Sequence, residues 1–150
     1  MKLCSACLLG INCRYDGKSN VERARPELLK EYQEGKLIPV CPEQLGGLST
    51  PRSGARISCG DGNNVLDGNS RLLTDDGHDV TEQYLRGAYE TLKIAQDLKI
   101  KEAILKQKSP SCGCGYIQAG LDKRETINGN GVTTALLKRE GIIVLSEEDL

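Results

Sequence analysis

Apolar positions along the chain fall into short runs separated by stretches of helical period. Lys2 to Ala6, Leu37 to Val40, Ala103 to Lys106 and Ile142 to Leu145 each have the length and composition of a buried strand. Between them the period changes. Val80, Tyr84, Ala88, Leu92 and Ala95 recur at intervals of three or four and predict a helix from about Val80 to Leu98. Asp79 or Thr81 would start it, and Asp79 with Glu82 has capping-box spacing. Pro26 to Glu34 predicts a helix with Pro26 in its first turn and Gly35 as its stop. Val132 to Glu140 predicts another, ended by Gly141. Strands alternating with helices imply an α/β fold: a parallel sheet, helices on both faces, right-handed crossovers.

Three stretches break the pattern. Pro39 lies inside the second strand and argues for a strand only lightly paired there. Gly10 to Asn20 is a loop holding Cys13, Arg14, Tyr15, Asp16 and Gly17. Residues 42 to 78 form a long Gly/Pro-rich insertion, which in a compact domain is usually functional. Within it Val65-Leu66 and Arg71-Leu72-Leu73 are candidate strands of a hairpin around Asp67-Gly68-Asn69. No internal repeat, low-complexity segment or linker divides the chain, so residues 1 to 150 are read as one domain.

Composition narrows the function. The net charge is −1, which excludes a general polyanion binder, and no nucleic-acid partner is expected. No apolar run is long enough to span a bilayer, and the N-terminus does not read as a secretory signal, which points to a cytoplasmic protein with no membrane partner. Phe and Trp are absent, so Leu, Ile, Val, Ala and Tyr must fill the core. The seven cysteines are an odd number without an export signal, and therefore suggest metal binding or chemistry rather than a disulfide framework.

Three of these cysteines follow strand ends. Cys7 follows Lys2 to Ala6, Cys41 follows Leu37 to Val40, and Cys112 sits in the Ser109-Pro-Ser-Cys-Gly113 loop beyond Ala103 to Lys106. In open parallel sheets ligands bind outside the carboxyl ends of the strands, so all three belong to one crevice. Three thiolates together repel one another, and a bound cation compensates them. Soft sulfur ligands without histidine favour zinc or an iron–sulfur cluster. Cys4 and Cys7 are three apart on a strand and so face opposite sides, which makes Cys4 a core residue. Cys13 either lines the pocket or fills space. Cys59 has no partner pattern, and Cys112-x-Cys114 is a weak signal. Three ligands are one too few for a closed structural zinc site. On a 4Fe–4S cluster they leave one iron free for substrate.

Cys7-Leu-Leu-Gly10, Arg14-Tyr-Asp-Gly17, Pro39-Val-Cys-Pro-Glu43, Gly46-Gly-Leu-Ser-Thr-Pro-Arg52, Asp79-Val-Thr81, Lys106-Gln-Lys-Ser-Pro-Ser-Cys-Gly113 and Gly129-Asn-Gly-Val132 together resemble the thiouracil desulfurase family of small bacterial proteins. The resemblance covers nearly the whole chain. It implies a single-domain, Rossmann-like three-layer sandwich that holds a 4Fe–4S cluster on Cys7, Cys41 and Cys112. It also implies non-redox conversion of 2-thiouracil, or a related thioamide, to uracil and sulfide. Cys13 stands where valine also occurs in the family and is not counted as a ligand. Tyr84 stands where phenylalanine is common and reads as a core exchange.

With a small thiobase as substrate, the free iron would polarise the thiocarbonyl for attack by water. Glu43, two residues past a cluster ligand, is the candidate base for that water. Ser109 and Ser111 could orient the water or donate to the ring. Lys106 and Lys108 could favour an anionic substrate, and Arg52 could reach a ligand. Asp16 and Tyr15 are expected to fix their loop, and His78 to be exposed. Asn128-Gly-Asn-Gly131 could cradle an anion. The alternatives are an open-cluster enzyme of hydratase or sulfur-transfer type, and a zinc- or thiol-containing binding module without catalysis.

Overall fold

The computed structural model describes residues 1–118 and 125–150. In chain order its elements are β1 (Lys2–Ser5), α1 (Pro26–Gln33), β2 (Leu37–Val40), α2 (Pro42–Leu45), β3 (Ala55–Ile57), α3 (Gly62–Leu66), β4 (Leu72–Thr74), α4 (Thr81–Asp97), β5 (Glu102–Leu105), β6 (Cys114–Gln118), β7 (Thr126–Asn130), α5 (Val132–Arg139) and β8 (Ile143–Ser146). Short 3-10 turns occupy Ala6–Leu9, Val21–Arg23 and Glu147–Asp149.

Four strands form a parallel sheet in the order β2-β1-β5-β8. The alternation of side chains divides the core in two. Leu3, Val40, Ala103, Leu105 and Val144 face the layer built from α4 and α5. Cys4, Leu37 and Ile104 face the opposite layer, with Leu28 of α1 and Leu8 and Leu9 of the first 3-10 turn. Cys4 is fully buried there, as expected, but Cys7 stands in the turn beyond β1 and packs against this same cluster rather than on an opposite strand face. Pro39 is tolerated because β2 is an edge strand and pairs on one side only. The chain leaves β1 toward β2 on one side and later returns to β5 on the other. The loops after β1 and β5 therefore part and open a crevice between them.

A close helix contact positions the start of that crevice. A Cβ at Gly46 would lie 1.9 Å from the Gln83 carbonyl oxygen, and one at Gly87 would lie 1.9 Å from that of Pro42. Only glycine lets the backbones of α2 and α4 meet so closely. The segment Cys41-Pro-Glu43 is thereby seated on the long helix. Among the described residues no helix is long and apolar enough to cross a membrane.

The 42–78 insertion is more ordered than its composition suggests, and its hairpin is not the expected one. Val65 and Leu66 end α3 instead of forming a strand. Asp61 caps that helix, its side chain accepting from Asn63 N while Asn64 Oδ1 accepts from Asp61 N. This local capping outweighs strand pairing around Asp67-Gly68-Asn69. The strand partner of β4 is β3, with Ala55 opposite Thr74 and Ile57 opposite Leu72. A second antiparallel pair, β6 with β7, has no counterpart in the sequence reading. Its glycines and asparagines carry no apolar alternation, and Ile117 is its one fully buried side chain. At the start of α4, Asp79 Oδ1 accepts from Thr81 N and from the Thr81 hydroxyl, so its partner is Thr81 rather than Glu82.

Candidate active site

The strand ends deliver the sulfurs. After β1 the chain turns through Ala6–Leu9, closed by Gly10 at φ 92°, and presents Cys7. After β2, Cys41 stands directly before Pro42 at the first turn of α2. After β5, Cys112 lies in the Ser109–Gly113 loop. That loop is docked on the start of α5: Val132 N donates to Pro110 O and Thr133 N to Ser111 O, both at 2.9 Å. Loop carbonyls thus satisfy amides that a helix start leaves free. Thr134 Oγ1 donates to Cys112 O at 2.8 Å, fixing the cysteine itself.

These segments enclose a cavity of about 250 Å³. Cys7, Cys13, Cys41 and Cys112 all line it, and so do Glu43, Arg52, Tyr84 and Ser109. Cys13 and Cys112 are buried, whereas Cys7 and Cys41 are partly open. Cys41 Sγ donates to Glu43 Oε2 at 3.4 Å, and Arg52 Nη2 lies 3.5 Å from the same oxygen. That nitrogen also donates to Cys13 O at 2.9 Å.

The thiols differ in how readily they ionise. A hydrogen bond from Cys13 lowers the Cys7 value, helped by Asn20 and opposed by burial. Cys13 is pushed up by its hydrogen bonds to Cys41 and Cys7, and so stays the neutral donor between them. Cys112 is pushed well up, first by burial and then by the charge of Glu43, with the Ser5 hydroxyl opposing. Thiolates at Cys13 and Cys112 are therefore costly until a cation joins them. Among the described residues no three His, Cys, Asp or Glu side chains gather closely enough to hold one metal ion. A ring of sulfur donors without histidine, spread around a cavity of this size, fits a polynuclear iron–sulfur group better than a single zinc.

The remaining candidates divide. Ser109 lines the cavity, and its Oγ accepts from Ser111 N and Cys112 N at 3.1 Å. Ser111 corrects an expectation. It is fully buried and does not line the cavity, and its hydroxyl pairs with Thr133 Oγ1 at 2.9 Å. It cannot orient water or touch a ring, because docking the loop on α5 turns it inward. Lys106 and Lys108 both line the cavity, but Lys106 Nζ is held by Glu147 at 3.0 Å. Asp16 does fix its loop, pairing with Arg14 at 3.1 Å, while Tyr15 lines the cavity. His78 is exposed and lies beside Asp76. Asn128 to Asn130 belong to β7, where Asn130 N donates to Asp61 Oδ2, so this stretch is a strand and not an anion cradle. Cys59 is exposed, and Cys114 donates to Val144 O, and neither lines the cavity.

Ser5 and Tyr84 are among the lining residues that escaped the sequence reading. Ser5 ends β1, is buried, and accepts from Lys106 N at 2.9 Å while its hydroxyl bonds the Cys112 thiol. A serine closing an otherwise apolar strand is the only signal that could have marked it. Tyr84 belongs to the apolar stripe of α4, yet stands on the cavity wall.

A family model of 2-thiouracil desulfurase matches residues 3–149. The chain is 46% identical over 150 residues to the uncharacterized protein YbbK of Bacillus subtilis (strain 168), covering 100% of this chain and 97% of that one. In three dimensions it is similar to the 4Fe–4S-dependent thiouracil desulfidase TudS, with a TM-score of 0.88 and 40% identity over 99% of this chain and 91% of that one. The chain belongs to the 2-thiouracil desulfurase family.

Proposed function

We propose that this chain, as a single domain, is an iron–sulfur-dependent desulfurase that converts 2-thiouracil to uracil and sulfide without net electron transfer. The observation that carries the reading is the meeting of Cys7, Cys41 and Cys112 with Glu43 on one cavity at the carboxyl ends of β1, β2 and β5. Cys7, Cys41 and Cys112 would hold a 4Fe–4S cluster, the group on which the similar desulfidase depends. When bound, that cluster supplies a Lewis-acidic iron to a soft thiocarbonyl sulfur.

The protein's own groups do the rest. Glu43 takes a proton from the attacking water, and Arg52 holds the carboxylate in place. The Ser109 oxygen is engaged by two backbone amides, so its own proton points elsewhere and can be donated to the ring. Buried Cys112 and Tyr84 close the floor and keep bulk water from the reacting centre. Ser111 and Thr134 position the Cys112 loop. The partner is a small thiobase, not a nucleic acid, in keeping with the near-neutral charge. Seven free thiols support a reducing, cytoplasmic setting.

The test is anaerobic reconstitution with iron and sulfide, followed by a panel of thiobases. Uracil and sulfide should appear in equal amounts from 2-thiouracil with no added reductant. Iron bound without turnover of any thiobase would overturn the reading.

A further inference from the structure

We propose that Asn20 is a positioning residue for the cluster: its side-chain amide donates a hydrogen bond to the sulfur of Cys7 once that sulfur is bound to iron. The inference rests on the desulfurase reading, which puts a 4Fe–4S cluster on Cys7, and adds to it a residue that tunes that ligand.

The backbone holds Asn20 beside Cys7. Its N–H donates to Cys7 O at 2.7 Å, across the loop that follows β1, and both residues line the cavity. The place in the chain suggests an ordinary structural role, because Asn20 stands immediately before the Val21–Arg23 turn. An asparagine there usually accepts from an amide of the turn. This one makes no such bond. The residue is only 7% exposed, and Arg14 Nη1 donates to its Oδ1 at 3.1 Å.

That bond fixes how the amide faces. A guanidinium carries donors only, so the atom it meets has to be the amide oxygen, and the nitrogen takes the other branch of the planar group. Among the described residues the nitrogen donates to no oxygen. Nor is it sealed in: Arg56 Nη1 is the only fully enclosed side-chain nitrogen or oxygen left unpaired among the described residues. Asn20 Nδ2 therefore keeps an opening, and the space that this residue borders is the cavity. A buried amide with N–H groups and no acceptor is unfavourable until something completes it.

Cys7 supplies the acceptor. A thiol sulfur accepts weakly, but a thiolate on iron keeps lone pairs and negative charge and accepts an N–H readily. The Asn20 amide already favours the ionised form of Cys7. The Cys13 thiol acts on the same sulfur, yet an S–H is the weaker donor. An amide bond to a ligand sulfur draws electron density from it and makes it a poorer donor to iron. The bond from Asn20 thus makes the cluster easier to reduce and its free iron more Lewis acidic toward a thiocarbonyl sulfur.

Two substitutions separate the donor from its shape. Asn20→Asp keeps the size and the oxygen that meets Arg14, and puts an acceptor where the N–H donor stood. Asn20→Ala removes the donor and adds no charge. After anaerobic reconstitution, the midpoint potential is read by redox titration of the cluster absorbance, and iron release to a chelator is timed. Both variants should have a more negative midpoint potential than the wild type, and should release iron about ten- to a hundredfold faster. A residue that only braced its loop would lower the melting temperature of the metal-free protein and leave the potential where it was. An unchanged potential in Asn20→Ala therefore overturns the assignment, even if Asn20→Asp shifts, because a new charge alone would explain the latter. Failure of Asn20→Ala to take up iron upholds it when the metal-free melting temperature is unchanged, and overturns it in favour of a bracing role when that temperature falls. Turnover of 2-thiouracil is measured separately. If the wild type loads a cluster but desulfurates no thiobase, the desulfurase reading fails alone, and the potentials still decide Asn20. If the wild type loads no cluster, both fail.

Discussion

Arg52 and Glu43 meet at 3.5 Å on the cavity wall, with side chains only 9% and 12% exposed. The Arg52 backbone amide also donates to Tyr15 O at 2.8 Å, and its guanidinium to Cys13 O at 2.9 Å. One residue thus ties the loop after β1 to the segment that carries Cys41 and Glu43. Removing it leaves Glu43 half-buried without its cation. Arg52→Met should destabilise the protein by about 2–4 kcal/mol in urea unfolding. Arg52→Lys should recover only part of that, because an ammonium cannot serve both acceptors through one planar fork.

The cysteines should separate into two groups when iron per chain is measured after anaerobic reconstitution. Cys7→Ala, Cys41→Ala and Cys112→Ala should each lose the cluster. Cys59→Ala and Cys114→Ala should retain it, since neither lines the cavity. Cys13→Val should also retain iron, because that thiol acts as a neutral donor to its neighbours. Loss of iron in Cys114→Ala with retention in Cys7→Ala would falsify the assignment.

Glu43→Gln tests the base. The amide is nearly isosteric and need not ligate iron, so iron content should be unchanged. Turnover should fall by roughly two to four orders of magnitude. Thiouracil should still perturb the cluster spectrum on titration. Wild-type turnover in this variant would move the base elsewhere, and loss of iron would show Glu43 to be structural or a ligand.

The glycine contact between α2 and α4 is a remote control on the site. Gly87→Ala places a methyl 1.9 Å from Pro42 O, and backbone cannot yield as a side-chain tip can. Unfolding free energy should drop by about 1–3 kcal/mol, the usual cost of overpacking. Iron retention should drop with it, because Pro42 lies between Cys41 and Glu43. Full iron loading in a stable Gly87→Ala protein would mean that the two helices can part without moving the cysteine.

Asp79 gives a pH signature. Bonds from the Thr81 hydroxyl and amide, and from Arg71, hold its carboxyl from an ordinary 3.8 down to about 2. The folded value is the lower one, so its stabilisation is present above the unfolded value and is lost as pH falls through the folded one. Asp79→Asn should lower the melting temperature at pH 7. It should also flatten the decline in stability between about pH 4 and pH 2. An acid limb parallel to that of the wild type would exclude Asp79 from it.

Much of the frame was legible from spacing alone. The four sheet strands, α1, α4 and α5 lie within one or two residues of where periodicity puts them. Burial of Cys4 was legible too, although not through its offset to Cys7, which lies in a turn beyond β1. These are local matters: which face a side chain takes depends on its neighbours at two, three or four residues. That Cys7, Cys41 and Cys112 would share an edge also needed only the parallel alternation of strands and helices.

The rest depended on partners distant in the chain. Nothing local to Leu72 says that it will pair with Ile57 instead of a nearer strand. Nothing near Ser111 shows that its hydroxyl will meet Thr133 and turn away from the cavity. Cys13 and Cys112 are separated by most of the chain, and only packing places both on one cavity. Tyr84 reads as one more apolar step of a helix because periodicity reports the direction of a side chain, not what stands at its tip. Sequence spacing therefore determined the sheet, its faces and the edge where chemistry collects. Tertiary packing decided which donors and acceptors actually face the cavity, because each such meeting joins residues whose separation along the chain carries no information about their separation in space.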